Sequence, residues 1–156
     1  MPVEIYFRKG CRVKVSALRQ ALETLLSYGG KTKATVEVSL VGETKIRKLN
    51  HRWRGIDKVT DVLSFPMEPQ VPKGPAPWTL GEIVVALPVA RSQAKRARRS
   101  PTSQVMRLAV HGLIHLEGLD HEKSPSERKR FEAMENKYLS HLNKKGLMRW
   151  DGSLQF

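Results

Sequence analysis

The sequence predicts an α+β fold in which a small mixed β-sheet of about four strands packs against several helices. Runs in which apolar residues alternate with polar ones predict strands, and they are interleaved with runs whose apolar residues recur at helical spacing. Helical runs dominate the second half of the chain, which is typical of helices layered on a small sheet. With 156 residues, 40% of them hydrophobic and 28% charged, the chain is long enough for one domain, residues 1–156.

The strands are predicted from short apolar or alternating runs. Residues 34–40 (ATVEVSL) alternate strictly, which is typical of a strand with one buried face. Residues 80–87 form the most apolar of these runs, so this strand is predicted to be central in the sheet. The predicted strands are 3–7, 34–40, 62–65 and 80–87.

The helices are predicted from apolar spacing and from residues that favour helix ends. Gly29 and Gly55 follow the first two helical runs and are expected to end them. Ser100 and Ser124 each precede a proline, a combination of cap and first helical position that begins helices, and Glu127 lies three residues after the second cap. The predicted helices are 15–28, 44–52, 88–99, 101–117 and one that begins at 125.

Two segments are predicted to lie outside regular structure. Residues 66–79 contain prolines at 66, 69, 72, 75 and 77. Because each proline fixes φ and removes a backbone donor, this segment is expected to be a surface loop, and it could contact a substrate. Residues 147–156 are treated as a tail, whose role the sequence does not indicate.

Composition narrows the classes of function. The net charge of +13, from 28 Lys and Arg against 15 Asp and Glu, favours a polyanionic partner, with nucleic acid ahead of an anionic membrane surface. Cys11 is the only cysteine, which excludes an intrachain disulfide and favours the reducing cytoplasm. No apolar run approaches the ~20 residues of a membrane span, and the first residues do not resemble a secretory signal, so no membrane association is expected.

His111, His115 and His121 are predicted to form one metal site. The first two are four residues apart on a predicted helix, so they project from the same face. Gly118 is typical of a residue that ends a helix, after which the chain can bring His121 back to the same ion. Imidazole ligands suit zinc, and also nickel, copper or iron. Three protein ligands with an open fourth position are typical of catalytic zinc, which lowers the pKa of a bound water to ~7.

The helix that carries His111 and His115 is predicted to be buried and central. Apolar residues cover most of its circumference, and the remaining polar seam carries Gln104, Arg107, His111 and His115. A buried helix with one polar seam is expected to turn that seam toward a cleft. The metal site is therefore placed on a buried central helix.

The histidine spacing matches the metzincin proteases, His-Glu-x-x-His-x-x-Gly-x-x-His, with one departure. Gly112 stands where that motif has its general-base glutamate. Since glycine cannot accept a proton from water, peptide hydrolysis by the usual route is not expected. A phosphodiester depends more on positive charge around the phosphate, which this chain has in excess.

Three blocks of the sequence resemble the YbeY family of bacterial and organellar endoribonucleases and rRNA maturation factors. They are residues 49–66 (LNHRWRGIDKVTDVLSFP), 80–83 (LGEI) and 111–121 (HGLIHLEGLDH), in the order in which the family has them. Glu82, Glu117 and Leu119 depart from the residues common in the family, and none of the three departures removes a ligand. Glu117 lies away from the histidine seam of the helix and is expected to be on the surface.

The resemblance implies that residues 1–156 are a single metal-dependent hydrolase domain. The implied function is a single-strand-specific endoribonuclease acting in 16S rRNA 3′-end maturation and ribosome quality control, with rRNA and the small ribosomal subunit and its associated proteins as partners. It further implies one Zn²⁺ on the three histidines, and Arg54 as a phosphate-binding residue of the catalytic site. The alternative is an RNA-binding ribosome assembly factor with a structural metal and little nuclease activity.

Two more arginines are predicted to bind RNA. Arg107 lies one turn before His111 on the polar seam, where it would contact a substrate phosphate or form a structural ion pair. Arg52 lies two residues before Arg54 in the block 49–66 and is assigned to the same RNA-binding surface.

Three further side chains have two interpretations each. Trp53 could stack on a base, although a core anchor is preferred. Asp61 could orient a ligand histidine, although a turn cap is preferred. For Asp120 the same two roles, histidine partner and turn former, stay open.

Overall fold

The computed structural model describes residues 2–67 and 78–149, and this part of the chain forms the predicted mixed sheet packed against helices. The strand order is β1-β2-β4-β3, in which β1, β2 and β4 run parallel and β3 pairs with β4 antiparallel. β4 therefore lies inside the sheet, as predicted, and β3 lies at an edge. The strands are β1 (Val3–Tyr6), β2 (Ala34–Val41), β3 (Val62–Pro66) and β4 (Trp78–Ala86).

The helices begin and end close to the predicted residues. They are α1 (Val15–Tyr28), α2 (Glu43–Arg54), α3 (Leu87–Ala97), α4 (Pro101–Leu116) and α5 (Pro125–Lys144). Gly55 ends α2 in the left-handed conformation, and the Ser100 and Ser124 side chains cap α4 and α5 by accepting from backbone N–H groups. Among the described helices, none is long and apolar enough to cross a membrane.

The predicted loop 66–79 is shorter than expected where the structure describes it. Pro66 ends β3, while Trp78 and Thr79 already belong to β4. Pro66 is tolerated because β3 is an edge strand, on which a missing N–H need not break the ladder. Residues 68–77 of the loop and 150–156 of the tail lie outside the described residues, whereas Met148 in the tail packs into the core.

The sheet is covered on both faces. Alternate residues of β4 point to opposite sides, with Ile83 and Val85 in the large core cluster and Val84 in a smaller one. The large cluster is shared with α1, α4 and α5, and the smaller cluster includes Ile46 of α2. This arrangement follows from the period-two geometry of a strand that is apolar on both sides.

Helix α4 is the buried central helix that the sequence predicts. It contacts β3, β4, α1, α3 and α5. Most of its residues are buried, among them Val105, Ala109, Leu113 and Leu116. The position of α4 against the sheet therefore fixes the positions of His111 and His115.

Gly112 allows α4 to approach the sheet closely. A Cβ at this position would lie 2.7 Å from Cγ2 of Ile83 and 3.0 Å from Oγ of Ser64. The Ser64 hydroxyl donates a hydrogen bond of 3.1 Å to the Gly112 carbonyl. Gly112 therefore has a packing role, besides standing where the protease motif has a glutamate. A larger residue here would prevent α4 from lying this close to the sheet.

Gly81 of β4 makes a second close contact with the same helix. Its φ is +148°, a conformation that favours glycine, and it follows the irregularity in the pairing of β2 with β4. A Cβ at Gly81 would lie 2.8 Å from Cδ2 of Leu116 and would also meet the Phe65 carbonyl oxygen. The C-terminal turn of α4 therefore packs directly against the backbone of β4 at Gly81.

We expect Gly112→Ala to destabilise the fold, although alanine has the higher helix propensity. The added methyl meets Ile83, which is 0% exposed and has no room to move. Overpacking of this kind costs about 1–3 kcal/mol, which over most of that range is more than the ~1 kcal/mol that alanine gains in a helix. Urea unfolding measures the net loss.

Gly29→Ala is the matched control. Gly29 has an ordinary φ of −82°, and a Cβ there would come no closer than 3.4 Å to any atom. It should leave the free energy of unfolding unchanged or slightly raised. Equal effects of the two substitutions would show that the close contact at Gly112 has no energetic weight.

Candidate metal centre

The structure brings His111, His115 and His121 together, as the sequence predicts. The ring centroid of His111 lies 4.9 Å from that of His115 and 4.9 Å from that of His121. The centroids of His115 and His121 are 5.2 Å apart. One ring nitrogen from each residue lies within 4.8 Å of the others, which suits three ligands of a single metal ion.

Gly118 ends α4 in the way that the sequence predicts. Its φ is +100°, and its N–H donates to the His115 carbonyl at 3.0 Å. The N–H of Leu119 reaches back to the Ile114 carbonyl at 3.4 Å, which completes a Schellman motif. The chain therefore reverses immediately after the second histidine.

The turn that carries His121 is held by the start of α5. The Asp120 N–H donates to Oε1 of Glu127 at 3.1 Å, while Oδ1 of Asp120 accepts from the Glu122 N–H at 2.9 Å. Ser124 caps α5 by accepting from the Glu127 N–H at 3.1 Å. Of the two roles left open for Asp120, the structure shows the turn former.

Phe131 lies beneath all three histidines. Its ring centroid is 4.7 Å from that of His111, 4.8 Å from that of His115 and 5.1 Å from that of His121. The ring is 1% exposed and belongs to the core. A rigid aromatic floor therefore supports the imidazoles from the protein interior, which limits their rotation.

The surroundings of the histidines favour a bound metal ion over protonated imidazole rings. Burial, followed by the neighbouring His111 and His121 rings, lowers the pKa of His115 to about 4. His115 is therefore neutral at pH 7 and can donate a lone pair to a metal. Nδ1 of His121 is buried without a hydrogen-bond partner among the described residues, and coordination by that nitrogen would remove the cost of its burial.

Glu135 is a member of the site that the sequence reasoning missed. Its carboxylate is 4% exposed, and Oε2 lies 3.4 Å from Nδ1 of His111. A signal was present, because Glu135 occupies the buried stripe of α5 together with Phe131, Tyr138 and Leu142. An acidic residue at a core position of a helix indicates a specific buried partner.

The histidines line one open cleft of about 810 Å³. The same cleft is lined by β3 and the segment before it, from Thr60 to Pro66, and by Trp53 and Arg54 at the end of α2. The structure thus brings Arg54 to the same cleft as the three histidines. Arg52 is exposed beside it, with its guanidinium carbon 5.2 Å from the centroid of the Trp53 ring.

The first half of the polar seam of α4 does not face the cleft. Gln104 and Arg107 are 0% and 2% exposed, and the Gln104 side chain donates to Oε1 of Gln93 in α3 at 3.0 Å. The prediction that Arg107 contacts an RNA phosphate is corrected, because a side chain buried to this extent is not open to substrate. Helix α3 packs against this half of the seam at Gln104, and of the seam residues only His111 and His115 line the cleft.

Two other interpretations are decided by the exposure or the contacts of the side chain. Trp53 is 61% exposed, so the preferred core anchor was wrong. Asp61 accepts from the Val62 N–H at 2.8 Å and from the Gln93 amide at 3.1 Å, which is the structural role that was preferred.

Glu117 is not on the surface, contrary to prediction. Its side chain is 9% exposed and accepts from the Tyr138 hydroxyl at 2.6 Å and from Nζ of Lys31 at 3.0 Å. The residue that departs from the family pattern therefore joins the C-terminal end of α4 to α5 and to the segment that follows α1.

Comparison with known proteins gives one consistent family. The family model described as endoribonuclease YbeY matches residues 8–143. Relatives named endoribonuclease YbeY include one from Persephonella marina, 36% identical over 70% of this chain and 71% of the relative, and one from Aquifex aeolicus, 38% identical over 85% and 87%. A relative from Myxococcus xanthus is 47% identical over 67% of this chain, but the match spans only 35% of that longer protein.

A solved structure shares the fold. The solution structure of a protein from Thermotoga maritima superposes with a TM-score of 0.62 at 26% sequence identity. The match covers 92% of this chain and 91% of that one.

We expect Glu135→Gln to weaken binding of Zn²⁺ by about 10–100-fold, as is typical when the partner of a ligand histidine is changed. The amide keeps the shape of the side chain but removes the negative charge beside His111. Competition with a chelating indicator measures the affinity. Glu132→Gln is the control, because Glu132 is exposed on the same helix, and equal affinities in the two variants would contradict a role for Glu135.

Proposed function

This chain belongs to the endoribonuclease YbeY family, and we propose that it is a metal-dependent endoribonuclease that cleaves single-stranded RNA. The observation that carries the proposal is the convergence of three imidazoles and Arg54 on one cleft of a protein with a net charge of +13.

His111, His115 and His121 are proposed to hold one Zn²⁺ ion, although other divalent metals also suit three imidazoles. Zinc with three protein ligands activates a water molecule and polarises a phosphoryl oxygen when it is bound in an open cleft. The protein contributes the orientation of the rings, through Phe131, and a negative charge behind His111, through Glu135. These supports favour the arrangement in which one nitrogen of each ring lies within 4.8 Å of the others.

Arg54 is proposed to bind the scissile phosphate. It is exposed at the last residue of α2 and lines the cleft that contains the histidines. Guanidinium groups bind phosphate oxygens with two parallel hydrogen bonds, and a donor that meets developing charge is more effective in a partly enclosed site than in water. Arg52, next to it, is proposed to contact the RNA backbone.

The wider role is proposed from the same resemblance. The RNA would be the 3′ end of 16S rRNA, and cleavage would serve its maturation and ribosome quality control in the cytoplasm, in contact with the small ribosomal subunit and its associated proteins. The alternative is an assembly factor with a structural metal. An open cleft beside the histidines favours the enzyme, because structural zinc sites are closed by a fourth protein ligand.

Proteolysis of the metzincin type is not supported. A glutamate in place of Gly112 would need a Cβ where Ile83 and Ser64 already lie. The general base of those proteases is thus missing for a packing reason, and not only through a difference in sequence.

We expect His121→Ala to lose both the bound metal and the cleavage of a single-stranded RNA oligonucleotide. Metal content is measured by elemental analysis, and cleavage by gel electrophoresis. His141→Ala is the control, because His141 stacks on Tyr28 at 3.9 Å and takes no part in the cluster. Undiminished cleavage by His121→Ala would refute the metal-dependent mechanism; bound metal in a wild-type protein that does not cleave RNA would favour the assembly factor.

Arg54→Ala should lower kcat/KM on the order of 10²-fold while the metal content stays unchanged, because the lost group contacts substrate and not the ion. Removing one phosphate contact should also reduce the slope of log affinity against log salt concentration by about 1. Arg47→Ala makes the same charge change on the same helix, where Arg47 pairs with Asp57 at 2.9 Å. If both variants lose activity equally, net charge rather than a specific contact is responsible.

A further inference from the structure

We propose that Trp53 is a stacking platform for one unpaired base of the RNA, next to the phosphate that is cleaved. The proposal rests on the proposed nuclease function and assigns a base-binding subsite to the cleft. It would give the site a reason to prefer single strands, because the bases of a duplex already stack on one another.

The exposure of Trp53 has a specific structural cause. Trp53 follows Ile46, Leu49 and Asn50 at helical spacing, so it continues the face of α2 that packs on the sheet. Ile46 is 0% exposed and Asn50 is 2% exposed, yet Trp53 is 61% exposed. The last member of this stripe lies beside Phe65 of the edge strand β3 and lines the open cleft, so the core does not cover it.

The indole is held in place although it is exposed. The Phe65 ring of β3 contacts it edge to face, with centroids 6.1 Å apart and an angle of 63° between the planes. The Arg52 guanidinium lies 5.2 Å from its ring centroid. A ring fixed by an aromatic neighbour and a cation loses little further freedom when a ligand stacks on it.

The surroundings indicate which ligand the ring would take. Trp53 lines the same cleft as the three histidines, and Arg54 is its neighbour in sequence. An exposed aromatic ring flanked by cations and placed beside a phosphate-binding group matches the two parts of a nucleotide, its base and its phosphate. Because every base has an aromatic face, the platform would be tolerant of sequence.

The test pairs a protein substitution with a change in the RNA. Binding and cleavage of a single-stranded RNA oligonucleotide are measured for wild type and Trp53→Ala, with an intact strand and with strands that carry one abasic nucleotide at successive positions near the cleavage site. In wild type, one abasic position should raise Kd and KM by about 10–100-fold. Trp53→Ala should show the same loss with the intact strand and no additional loss at that abasic position.

Two further variants separate stacking from other effects. Trp53→Phe should recover most of the affinity, because a ring is restored. Phe7→Ala removes another exposed aromatic residue, 48% exposed and outside the cleft, and should bind RNA as wild type does. Melting temperature and metal content establish that Trp53→Ala remains folded and loaded.

Each outcome decides the proposal. If Trp53→Ala binds and cleaves RNA as wild type does, or if every abasic position affects both proteins equally, stacking is overturned while the nuclease assignment stands. If wild type binds the strand without cleaving it, the binding arm still decides the role of Trp53 and the nuclease assignment fails alone. If wild type neither binds nor cleaves RNA, both proposals fall.

Discussion

The close approach of α4 to the β3–β4 pair is the constraint from which the site follows. Two positions without side chains, Gly112 on the helix and Gly81 on the strand, let backbone lie where a Cβ would collide with Ile83 or Leu116. The contact sets the depth and rotation of α4, and therefore the direction of His111 and His115. Since β3 also lines the cleft, the contact between α4 and β3 positions both the histidines and this part of the cleft wall.

Helix α5 completes what α4 begins. Its first turn holds the turn of His121 through Glu127, its next buried residue is the floor formed by Phe131, and one turn later Glu135 faces His111. Three residues at successive turns thus act on three different properties of the centre, namely the path of the chain, the orientation of the rings and the local charge. A metal site built from helix and turn residues needs these supporting side chains. Without them, the three imidazole rings could rotate away from the positions in which they share one ion.

Much of this arrangement can be predicted from the sequence, because its signals are local. Strand alternation, serine caps and the glycine stop at Gly118 each act within a few residues, and they place His111, His115 and His121 together. Glu135 was missed because its contact with His111 joins residues 24 positions apart on different helices. Arg107 was expected to be open to substrate and is buried, whereas Trp53 was expected to be buried and is exposed. Both errors have one reason: periodicity shows which residues share a helix face, but not which parts of that face a neighbouring element covers. Helix α3 packs against the buried half of the seam at Gln104, whereas Trp53 lies beside Phe65 of β3 in the lining of the open cleft.

The central claim is that three imidazoles hold one ion in this cleft, and X-ray absorption at the zinc edge of the zinc-loaded protein tests it most directly. We expect one zinc per chain, with three histidine nitrogens at about 2.0–2.1 Å and a further light atom completing the tetrahedron. A sulfur ligand from Cys11, fewer than three imidazoles around the ion, or failure to retain zinc would contradict the account.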